Sequence, residues 1–374
     1  MYIDREPGEG KSQGRASSFS GGRLEVEYYR IIGCGMSEVC VIVVHHKGRR
    51  LLERCLRSLM ASRGVTVEVI VVENACEEEL PEVTDTAPII HTLRLNSAVG
   101  FSAANNLGMQ EARRLVLRPE YYLFLNNDAA VEPDTLSRLV TAANASPGCG
   151  VVGPRLMIWG AEEHLNSLGL NVTRHGEAWD EGIGVSLEDY GPLPQQREVL
   201  AVTGAALMIR AELCDQLEGW CALYEYYFED IDLCLRARSA GWKVLNVPQA
   251  LAWHAISATA ERDSDFKLLL TWRNRLLLLL ILWPWRLLLQ IGPRLAWSEF
   301  RVLASRLRCR AFDDARLQAR AWLGALRCSV QALRLRRRNG KQKEWTRFLR
   351  PAGTVPVIRL PELPPEAVEA SEIL

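Results

Sequence analysis

The chain has 374 residues, and its 45 Lys and Arg balance 45 Asp and Glu, so its formal net charge at pH 7 is zero. This length suits one large α/β domain with an appended module, and the balanced charge argues against a nucleic-acid-binding protein. Ten cysteines without a C-x-x-C pair, and an N-terminus without a signal-peptide core, exclude a disulfide-built secreted protein and predict a cytoplasmic location.

The chain begins with a polar segment and continues with a strand, helix, strand pattern. Residues 1–36 are rich in Gly, Ser and charge, so they are predicted to be a disordered extension. Two β-branched runs follow, at 39–46 and 65–74, with leucines at helical spacing between them. This order predicts parallel strands whose carboxyl ends present polar residues at one sheet edge.

The next segment predicts a third strand, a long loop and a short helix. The strand is "IIHTLRL" at 89–95, and the loop is the Gly-, Ser- and Asn-rich "NSAVGFSAANNLG" at 96–108. The predicted helix then runs from Met109 to Leu117.

A buried-type strand, "YYLFL", then runs directly into Asn126, Asn127 and Asp128. Alternate residues of an extended chain point the same way, so Asn126 and Asp128 could share one hard cation. Mg²⁺ or Mn²⁺ takes one or two protein carboxylates and completes its shell with water and substrate phosphates. An ordinary turn uses the same residue types, so this run alone leaves both interpretations open.

Mixed strands and loops occupy residues 150–202, and a cluster of aromatic and acidic residues follows further along. Its aromatic residues suit sugar rings, and a carboxylate beside them can act as a general base, although acids also simply stabilise a helix N-terminus. Downstream, His254 follows a predicted strand that could return it to the same edge, although a lone His is more often structural. The cluster consists of Tyr224, Tyr226, Tyr227, Phe228, Glu229, Asp230 and Asp232.

The most apolar stretch, at 268–292, has an uncharged part from Leu276 to Trp285 that is too short to span a membrane. With its tryptophans and flanking arginines, the segment from Leu276 to Ile291 predicts an interfacial helix, and the basic helices after it would face anionic headgroups. A buried core helix remains the alternative. We therefore assign residues 266–350 to a helical, membrane-associating region and 351–374 to an acidic, Pro-rich tail.

Eight segments between Glu38 and Leu282 together resemble the family 2 inverting glycosyltransferases of GT-A fold, particularly the rhamnosyltransferase-like branch. The resemblance implies an α/β domain over 37–265 with a Rossmann-like nucleotide-binding half and a mixed central sheet, followed by C-terminal amphipathic, basic helices. The segments are "VIVV", "VVEN", "NSAVGFSAANNLG", "LFLNND", "VTGAALMIR", "YFEDIDLCLRARSAGWKV", "AWHAIS" and "WRNRLLLLL".

The resemblance also implies roles for individual residues. Asp128 and His254 match the metal ligands, and Asp230 matches the catalytic base, with Glu229 and Asp232 supporting it. The chain departs from the family pattern after the first strand, where it has His45, His46 and Lys47. The residues expected to contact the nucleotide sugar are Val44, His45, Glu73, Asn74, Asn96, Gly100, Phe101, Asn105, Asn126, Asn127 and Gly204.

The sequence therefore predicts an inverting, Mg²⁺- or Mn²⁺-assisted glycosyltransferase that uses a nucleotide-diphosphate sugar, with rhamnose as one candidate. Its acceptor would be a glycan or a lipid-linked glycan at the inner face of the cytoplasmic membrane. A catalytically inactive sugar-nucleotide-binding scaffold is the alternative, but Asp128, Asp230 and His254 are all present. A Rossmann oxidoreductase is excluded because no G-x-G-x-x-G turn follows the first strand.

Overall fold

The computed structural model describes residues 38–81, 88–114, 119–193, 195–256, 264–339 and 344–363. The predicted N-terminal extension at 1–36 lies outside these ranges, as does the end of the predicted tail from residue 364 onward.

The first part of the chain alternates strands and helices, as its sequence pattern predicts. Strand β1 is a continuous apolar run because both of its faces are covered: Ile42 faces the core beneath helix α2, and Val43 faces the core beneath helices α1 and α3. The elements are β1 (Val39–His45), α1 (Arg49–Met60), β2 (Val67–Asn74), β3 (Ile89–Leu95), α2 (Phe101–Ala112), β4 (Tyr121–Leu125), β5 (Ala129–Val131) and α3 (Thr135–Ala145).

The following part is mixed, which confirms the change of pattern predicted after residue 150. The last strand is longer than predicted and reaches His254. The elements are β6 (Cys149–Ile158), β7 (Ala161–Ser167), β8 (Leu170–Val172), β9 (Ala178–Asp180), α4 (Leu187–Tyr190), β10 (Arg197–Glu198), β11 (Ala206–Arg210), α5 (Ala211–Gln216), α6 (Glu229–Ser239) and β12 (Lys243–His254).

Ten strands form one mixed sheet with the order β10-β12-β6-β11-β4-β1-β2-β3, while β5 pairs with β12 and β7 with β6. Strands β3, β2, β1 and β4 are parallel to one another, whereas β11 is antiparallel to both β4 and β6. The carboxyl ends of β1, β2 and β4 therefore lie along one edge, which is where α/β proteins bind ligands. This architecture confirms the predicted α/β class with a mixed central sheet.

Helix α2 begins at Phe101, eight residues before the predicted start at Met109, so the predicted loop is wrong in its second half. A Cβ on Gly108 would lie 2.6 Å from Ile42 Cγ2 and 3.1 Å from Val72 Cγ2, so the helix packs almost directly on strands β1 and β2. Small residues in this segment let the helix approach the strands closely, and they do not mark a turn. The end of the predicted helix, residues 115–117, lies outside the described ranges.

Within the described ranges, three helices follow the sheet: α7 (Ser264–Leu282), α8 (Trp285–Arg308) and α9 (Phe312–Arg338), and a 3-10 turn spans Glu344–Phe348. Most of the side chains from Leu277 to Trp283 are buried in the main core, so the interfacial interpretation is wrong for this part and the core-helix alternative holds. Pro284 separates it from α8, whose large apolar side chains are exposed instead. None of the helices within the described ranges is both long and apolar enough to cross a bilayer.

Helix α7 fixes the loop that leads into α6. Three residues of this loop have left-handed backbone conformations, with φ of 63° at Glu225, 65° at Tyr227 and 72° at Phe228. Such conformations are costly for residues other than glycine and persist only where surrounding structure holds them. The fully buried Asn274 amide donates to the carbonyl oxygens of residues 224, 226 and 227 at 2.8, 2.7 and 2.9 Å.

Replacing Asn274 with Leu tests this role of α7. The variant leaves buried loop carbonyls without a donor, so we expect the free energy of unfolding to fall by about 3 kcal/mol. Urea denaturation measures this change. Gln331→Leu, which alters an exposed amide on α9, is the matched control and should leave stability within about 0.5 kcal/mol. Equal stability of the two variants would contradict the prediction.

Candidate functional site

Strand pairing brings Asp128 and His254 together at the edge of the sheet. Residue His254, the last of β12, pairs with Ala129 of β5, and the Ala255 N–H donates to the Asp128 carbonyl oxygen at 3.0 Å. Consequently His254 Nε2 lies 3.3 Å from Asp128 Oδ1. The Asn126 side chain is adjacent, with its Nδ2 3.5 Å from the same imidazole nitrogen. The predicted metal residues therefore meet in space.

The His254 imidazole is hydrogen-bonded through one nitrogen and faces the Asp128 carboxylate with the other. Its Nδ1 donates to Asn166 Oδ1 at 2.9 Å, so a metal ion could take the place of the proton on Nε2, which faces Asp128. Both Asp128 Oδ1 and Asn126 Oδ1 are buried without a hydrogen-bond partner. Burial lowers the pKa of His254, but the Asp128 carboxylate more than offsets this effect, and the net pKa is raised. These donors fit a divalent cation such as Mg²⁺ or Mn²⁺.

Asp230 lies in the first turn of α6, and two backbone groups hold its carboxylate. The Gly204 N–H donates to Oδ2 at 2.9 Å, and the Ile231 N–H donates to Oδ1 at 2.7 Å. Burial raises the pKa of Asp230, and these hydrogen bonds oppose the rise because they stabilise the charged form. A Cβ on Gly204 would lie 3.5 Å from Asp230 Cβ, an ordinary contact, so packing within the protein does not require glycine there.

The two other acids at the start of α6, Asp232 and Glu229, are both buried. Asp232 forms an ion pair with Arg236, whose Nε is 2.6 Å from Asp232 Oδ2, while the same guanidinium donates to the Leu217 and Gly219 carbonyl oxygens. Asp232 therefore anchors α6 to the preceding loop, and its support of Asp230 stays a prediction. Burial and the neighbouring Asp230 charge raise the pKa of Glu229 well above its usual range.

Sequence reasoning missed a further carboxylate, Asp180, at the end of β9. Its Oδ1 is inaccessible and has no hydrogen-bond partner. Burial raises the pKa of Asp180 to about 6, and the negative charge of Asp230 adds to the rise. A hydrogen bond from Ser167 and the charge of His254 act in the opposite direction. Asp180 thus lies within electrostatic reach of both the predicted base and the predicted metal ligand. No motif marks it, because it reaches the site on the β8–β9 hairpin outside the main sheet.

Arg54 is a second residue near the site, after Asp180, that the sequence pattern does not identify. It lies on α1 among the leucines that identify the helix, and its guanidinium stacks 3.2 Å from the centroid of the Trp159 ring. Burial lowers the pKa of Arg54, and the Asp128 carboxylate opposes this effect. Its Nη2 is buried without a hydrogen-bond partner. The site therefore contains a cation close to the predicted metal position.

At the nucleotide edge, several predicted contact residues are already engaged within the protein. The buried Glu73 carboxylate accepts from Arg94 Nε at 3.1 Å. The Asn74 side-chain amide forms two hydrogen bonds with the backbone of Val99. Asn74 Nδ2 donates to the Val99 carbonyl oxygen, and Asn74 Oδ1 accepts from the Val99 N–H, both at 2.8 Å. Asn105 is buried inside α2 and donates to the Phe101 carbonyl oxygen at 3.0 Å. Asn105 is therefore not the loop residue that the sequence predicts.

The other predicted contact residues are distributed along the same edge. Val44 is half-buried near the end of β1, and Asn96 is exposed after β3. Gly100 immediately precedes α2, where Phe101 packs edge-on against Trp220 with ring centroids 5.8 Å apart. His45 and Asn127 face each other, with Asn127 Nδ2 3.1 Å from His45 Nδ1.

Only part of the predicted aromatic platform is accessible. Tyr224 is fully buried and Phe228 is nearly so, because both belong to the main core. Tyr227 is exposed, and Tyr226 is half-buried with its hydroxyl 3.3 Å from the Val99 carbonyl oxygen. A sugar ring could therefore reach Tyr226 and Tyr227 but not the other two rings.

Comparison with known proteins identifies the family to which this fold belongs. The model of the family described as "Glycosyltransferase like family 2" matches residues 37–276, which is more than half of the chain. The chain belongs to this family. The match confirms the predicted family and the transferase class of the glycosyltransferase, and the observed mixed sheet agrees with the predicted GT-A fold.

Curated relatives include several enzymes of glycan assembly. The chain is 24% identical over 239 residues to the N-acetylglucosaminyl-diphospho-decaprenol L-rhamnosyltransferase of Mycobacterium tuberculosis, covering 60% of this chain and 78% of that protein. It is 24% identical to the low-salt glycan biosynthesis hexosyltransferase Agl10 of Haloferax volcanii, covering 65% and 75% of the two chains. The O-antigen biosynthesis protein RfbC of Myxococcus xanthus is 28% identical, over 62% of this chain and 18% of that protein.

Among solved structures, the glycosyltransferase is similar to GalNAc-T7 crystallised with UDP, GalNAc and Mn²⁺. The sequence identity is 14% and the TM-score 0.47, covering 59% of this chain and 44% of that one. A likeness of this size supports no inference about ligands.

Replacing Asp180 with Asn tests the electrostatics of the site. The folded-state pKa of about 6 is above the ordinary value of 3.8, so this carboxyl group destabilises the fold progressively as pH rises from about 4 through 6. Removing the charge should raise stability at pH 7 by at most about 3 kcal/mol, and the gain should shrink at pH 5. Thermal unfolding at both pH values measures the effect. Glu163→Gln, at an exposed position of β7, should change neither value; an unchanged or lowered melting temperature of Asp180→Asn at pH 7 would contradict the prediction.

Proposed function

We propose that the glycosyltransferase transfers a sugar from a nucleotide diphosphate to a hydroxyl group of a glycan or lipid-linked acceptor, with Asp230 as general base. The observation that carries this proposal is the position of Asp230. The Gly204 and Ile231 backbone N–H groups donate to its carboxylate and fix its position. The charges of Asp230 and His254 both affect the pKa of Asp180, so Asp180 lies within electrostatic reach of both groups. A base, a candidate cation site and an additional carboxylate thus meet at one sheet edge.

The residues suit a single displacement with inversion. The acceptor hydroxyl gives its proton to Asp230 while its oxygen bonds to the anomeric carbon, and the bond from that carbon to the diphosphate oxygen breaks with its electron pair. Burial raises the pKa of Asp230 and so makes the carboxylate a stronger base. Asp180, whose Oδ1 has no hydrogen-bond partner among the described residues, could accept a hydrogen bond from a sugar hydroxyl.

Asp128 and His254 would hold Mg²⁺ or Mn²⁺, with Asn126 Oδ1 as a further oxygen donor. The Asn166 amide fixes the His254 tautomer, so the coordinating nitrogen is already oriented. A bound cation of this kind offsets the negative charge that develops on the diphosphate leaving group. Arg54 is positioned to add positive charge on the same side of the site.

The relatives favour rhamnose as the transferred sugar and a diphospholipid-linked glycan as the acceptor. This part of the proposal rests on the similarity to the mycobacterial rhamnosyltransferase, which covers 78% of that enzyme. Glycan assembly also appears in the names of the Haloferax and Myxococcus relatives.

We also propose that the glycosyltransferase acts at the inner face of the cytoplasmic membrane and contacts anionic lipid through α8. The exposed apolar residues Trp285, Leu289, Trp297, Phe300 and Leu307 recur along α8 at the spacing of one helical stripe. A row of exposed arginines runs beside the stripe, and three of the four directly follow a stripe residue. Apolar side chains flanked by cationic ones are typical of helices that lie in a membrane interface. The arginines are Arg286, Arg294, Arg301 and Arg308.

Replacing Asp230 with Asn separates catalysis from binding. We expect transfer to fall by at least about 100-fold, because positioned general bases contribute about 10²–10⁴, while metal-dependent nucleotide binding persists. Asp128→Ala is the contrasting variant and should lose that binding. Calorimetry with UDP, dTDP and GDP, with and without Mn²⁺, measures binding, and a radiolabelled donor measures transfer. Transfer by Asp230→Asn at the wild-type rate would contradict the assignment, and metal-dependent binding by Asp128→Ala would contradict the metal site.

Membrane binding can be tested by co-sedimentation with vesicles of phosphatidylglycerol and phosphatidylcholine. We expect the protein to bind at low salt and to dissociate as salt screens its arginines. The double variant Trp297→Ser/Phe300→Ser should weaken binding at least about tenfold, because it removes two large apolar side chains. Val357→Ser/Ile358→Ser, at exposed positions outside the helices, is the control. Absence of wild-type binding at low salt would contradict the proposal.

A further inference from the structure

A second group of potential metal ligands lies where the β1–α1 turn meets the loop after β2. Among the residues that the structure describes, His45, Cys76 and Glu78 place an imidazole nitrogen, a sulfur and a carboxylate oxygen within 4.8 Å of one another. His45 ends β1, and Cys76 and Glu78 follow β2. The two strands are parallel neighbours with His45 opposite Glu73, so the pairing brings the two loops together.

The His45 imidazole directs Nε2 into this group, and among the described residues only its other nitrogen, Nδ1, has a hydrogen-bonding partner. Its side chain has no exposed area, and its Nε2 atom is buried and unpartnered. The nearest carboxylate oxygen, Glu78 Oε2, is 3.9 Å from Nε2, too far for a hydrogen bond. A buried nitrogen without a partner is costly, and such groups in native structures call for an explanation. An ion between these side chains would satisfy it.

The surrounding backbone holds the other two ligands in place. Glu78 Oε2 accepts from the Arg49 N–H at 2.7 Å, which fixes its carboxylate at the start of α1. The Cys76 sulfur lies 3.6 Å from the Glu78 carbonyl oxygen, so the 76–78 loop is folded back on itself. Cys76 is half-buried and Glu78 is about one-third exposed, which gives an ion a path from solvent.

We propose that His45, Cys76 and Glu78 form a binding site for a Zn²⁺-class transition metal, with water as the fourth ligand. Imidazole and thiolate are the ligands that such ions prefer, and three protein ligands plus water is a common tetrahedral arrangement. On binding, Cys76 releases its thiol proton to solvent and the ion bonds to His45 Nε2, the Cys76 sulfur and a Glu78 oxygen. No change in oxidation state is involved.

Asn127 acts in this site as a positioning residue. Coordination through Nε2 requires the imidazole proton on Nδ1, which lies 3.1 Å from the Asn127 side-chain amide. Rotation of that amide presents its oxygen to Nδ1–H, the usual outer-shell arrangement for a metal-bound His. Rotation also releases the bond from Asn127 Nδ2 to the Lys47 carbonyl oxygen, which is 2.8 Å long in this structure.

The site differs chemically from the one at Asp128. The Asp128 site offers oxygen atoms and one imidazole, which suit Mg²⁺ or Mn²⁺, whereas the thiolate of Cys76 selects a softer ion. An ion at His45 would join the β1–α1 turn to the loop after β2, two segments at the nucleotide edge. Its role would be to stabilise this edge, so its occupancy can be measured without any sugar substrate.

Titration of the metal-free full-length protein with Co²⁺ tests the proposal. Co²⁺ replaces Zn²⁺ in tetrahedral sites and shows a thiolate-to-metal charge-transfer band and strong visible bands. We expect both to saturate at one equivalent and to disappear when Zn²⁺ is added. Cys76→Ser should lose the charge-transfer band. Glu78→Gln should weaken Zn²⁺ binding by at least about tenfold, since even outer-shell changes cost that much.

Two variants provide the controls. Cys309→Ser alters an exposed cysteine on the segment between α8 and α9, and Asp128→Ala removes the other candidate metal site; both should keep the band. Circular dichroism verifies that Cys76→Ser is folded. Absence of the band in the wild-type protein, or its persistence in folded Cys76→Ser, would overturn the proposal. Loss of the visible cobalt bands in Asp128→Ala would also overturn it, because the cobalt would then occupy the Asp128 site.

Discussion

The geometry of the candidate active site depends on one buried amide, that of Asn274. Three left-handed residues in the 225–228 segment turn the chain so that α6 starts with Asp230 directed towards the sheet edge. Asn274 compensates for this strain by donating to three carbonyl oxygens, and Arg273 donates to the Leu223 and Tyr224 carbonyl oxygens. Helix α7 is therefore an integral part of the α/β domain, because it supplies the hydrogen bonds that hold the loop leading to Asp230.

The sheet and its carboxyl edge were predictable from the sequence because they depend on local patterns. Continuous β-branched runs, helical leucine spacing and strand-terminal polar residues identify β1, β2, β4 and the Asn126–Asp128 run with little dependence on distant contacts. The meeting of Asp128 and His254 was also predictable, since a strand that returns to the same sheet has few places to end.

Features that depend on packing partners were predicted less well. Small residues in α2 resemble a loop, yet Gly108 is small because Ile42 is directly beneath it. From the sequence alone, Asp232 resembles a site acid, but in the structure it forms an ion pair with Arg236. The leucines before Pro284 resemble an interfacial helix in the sequence, but in the structure they pack in the core. Asp180 carries no local signal, because a separate hairpin brings it to the site.

The Val99 carbonyl oxygen has a consequence for how the two substrates bind. It accepts from Asn74 at the end of β2 and from the Tyr226 hydroxyl at the aromatic loop, so one peptide group is shared by the two halves of the site. A nucleotide that shifts this peptide necessarily disturbs Tyr226, and an acceptor that engages Tyr226 acts on the same peptide. If both substrates bind as proposed, binding of one would therefore alter the affinity for the other, and the effect would be reciprocal.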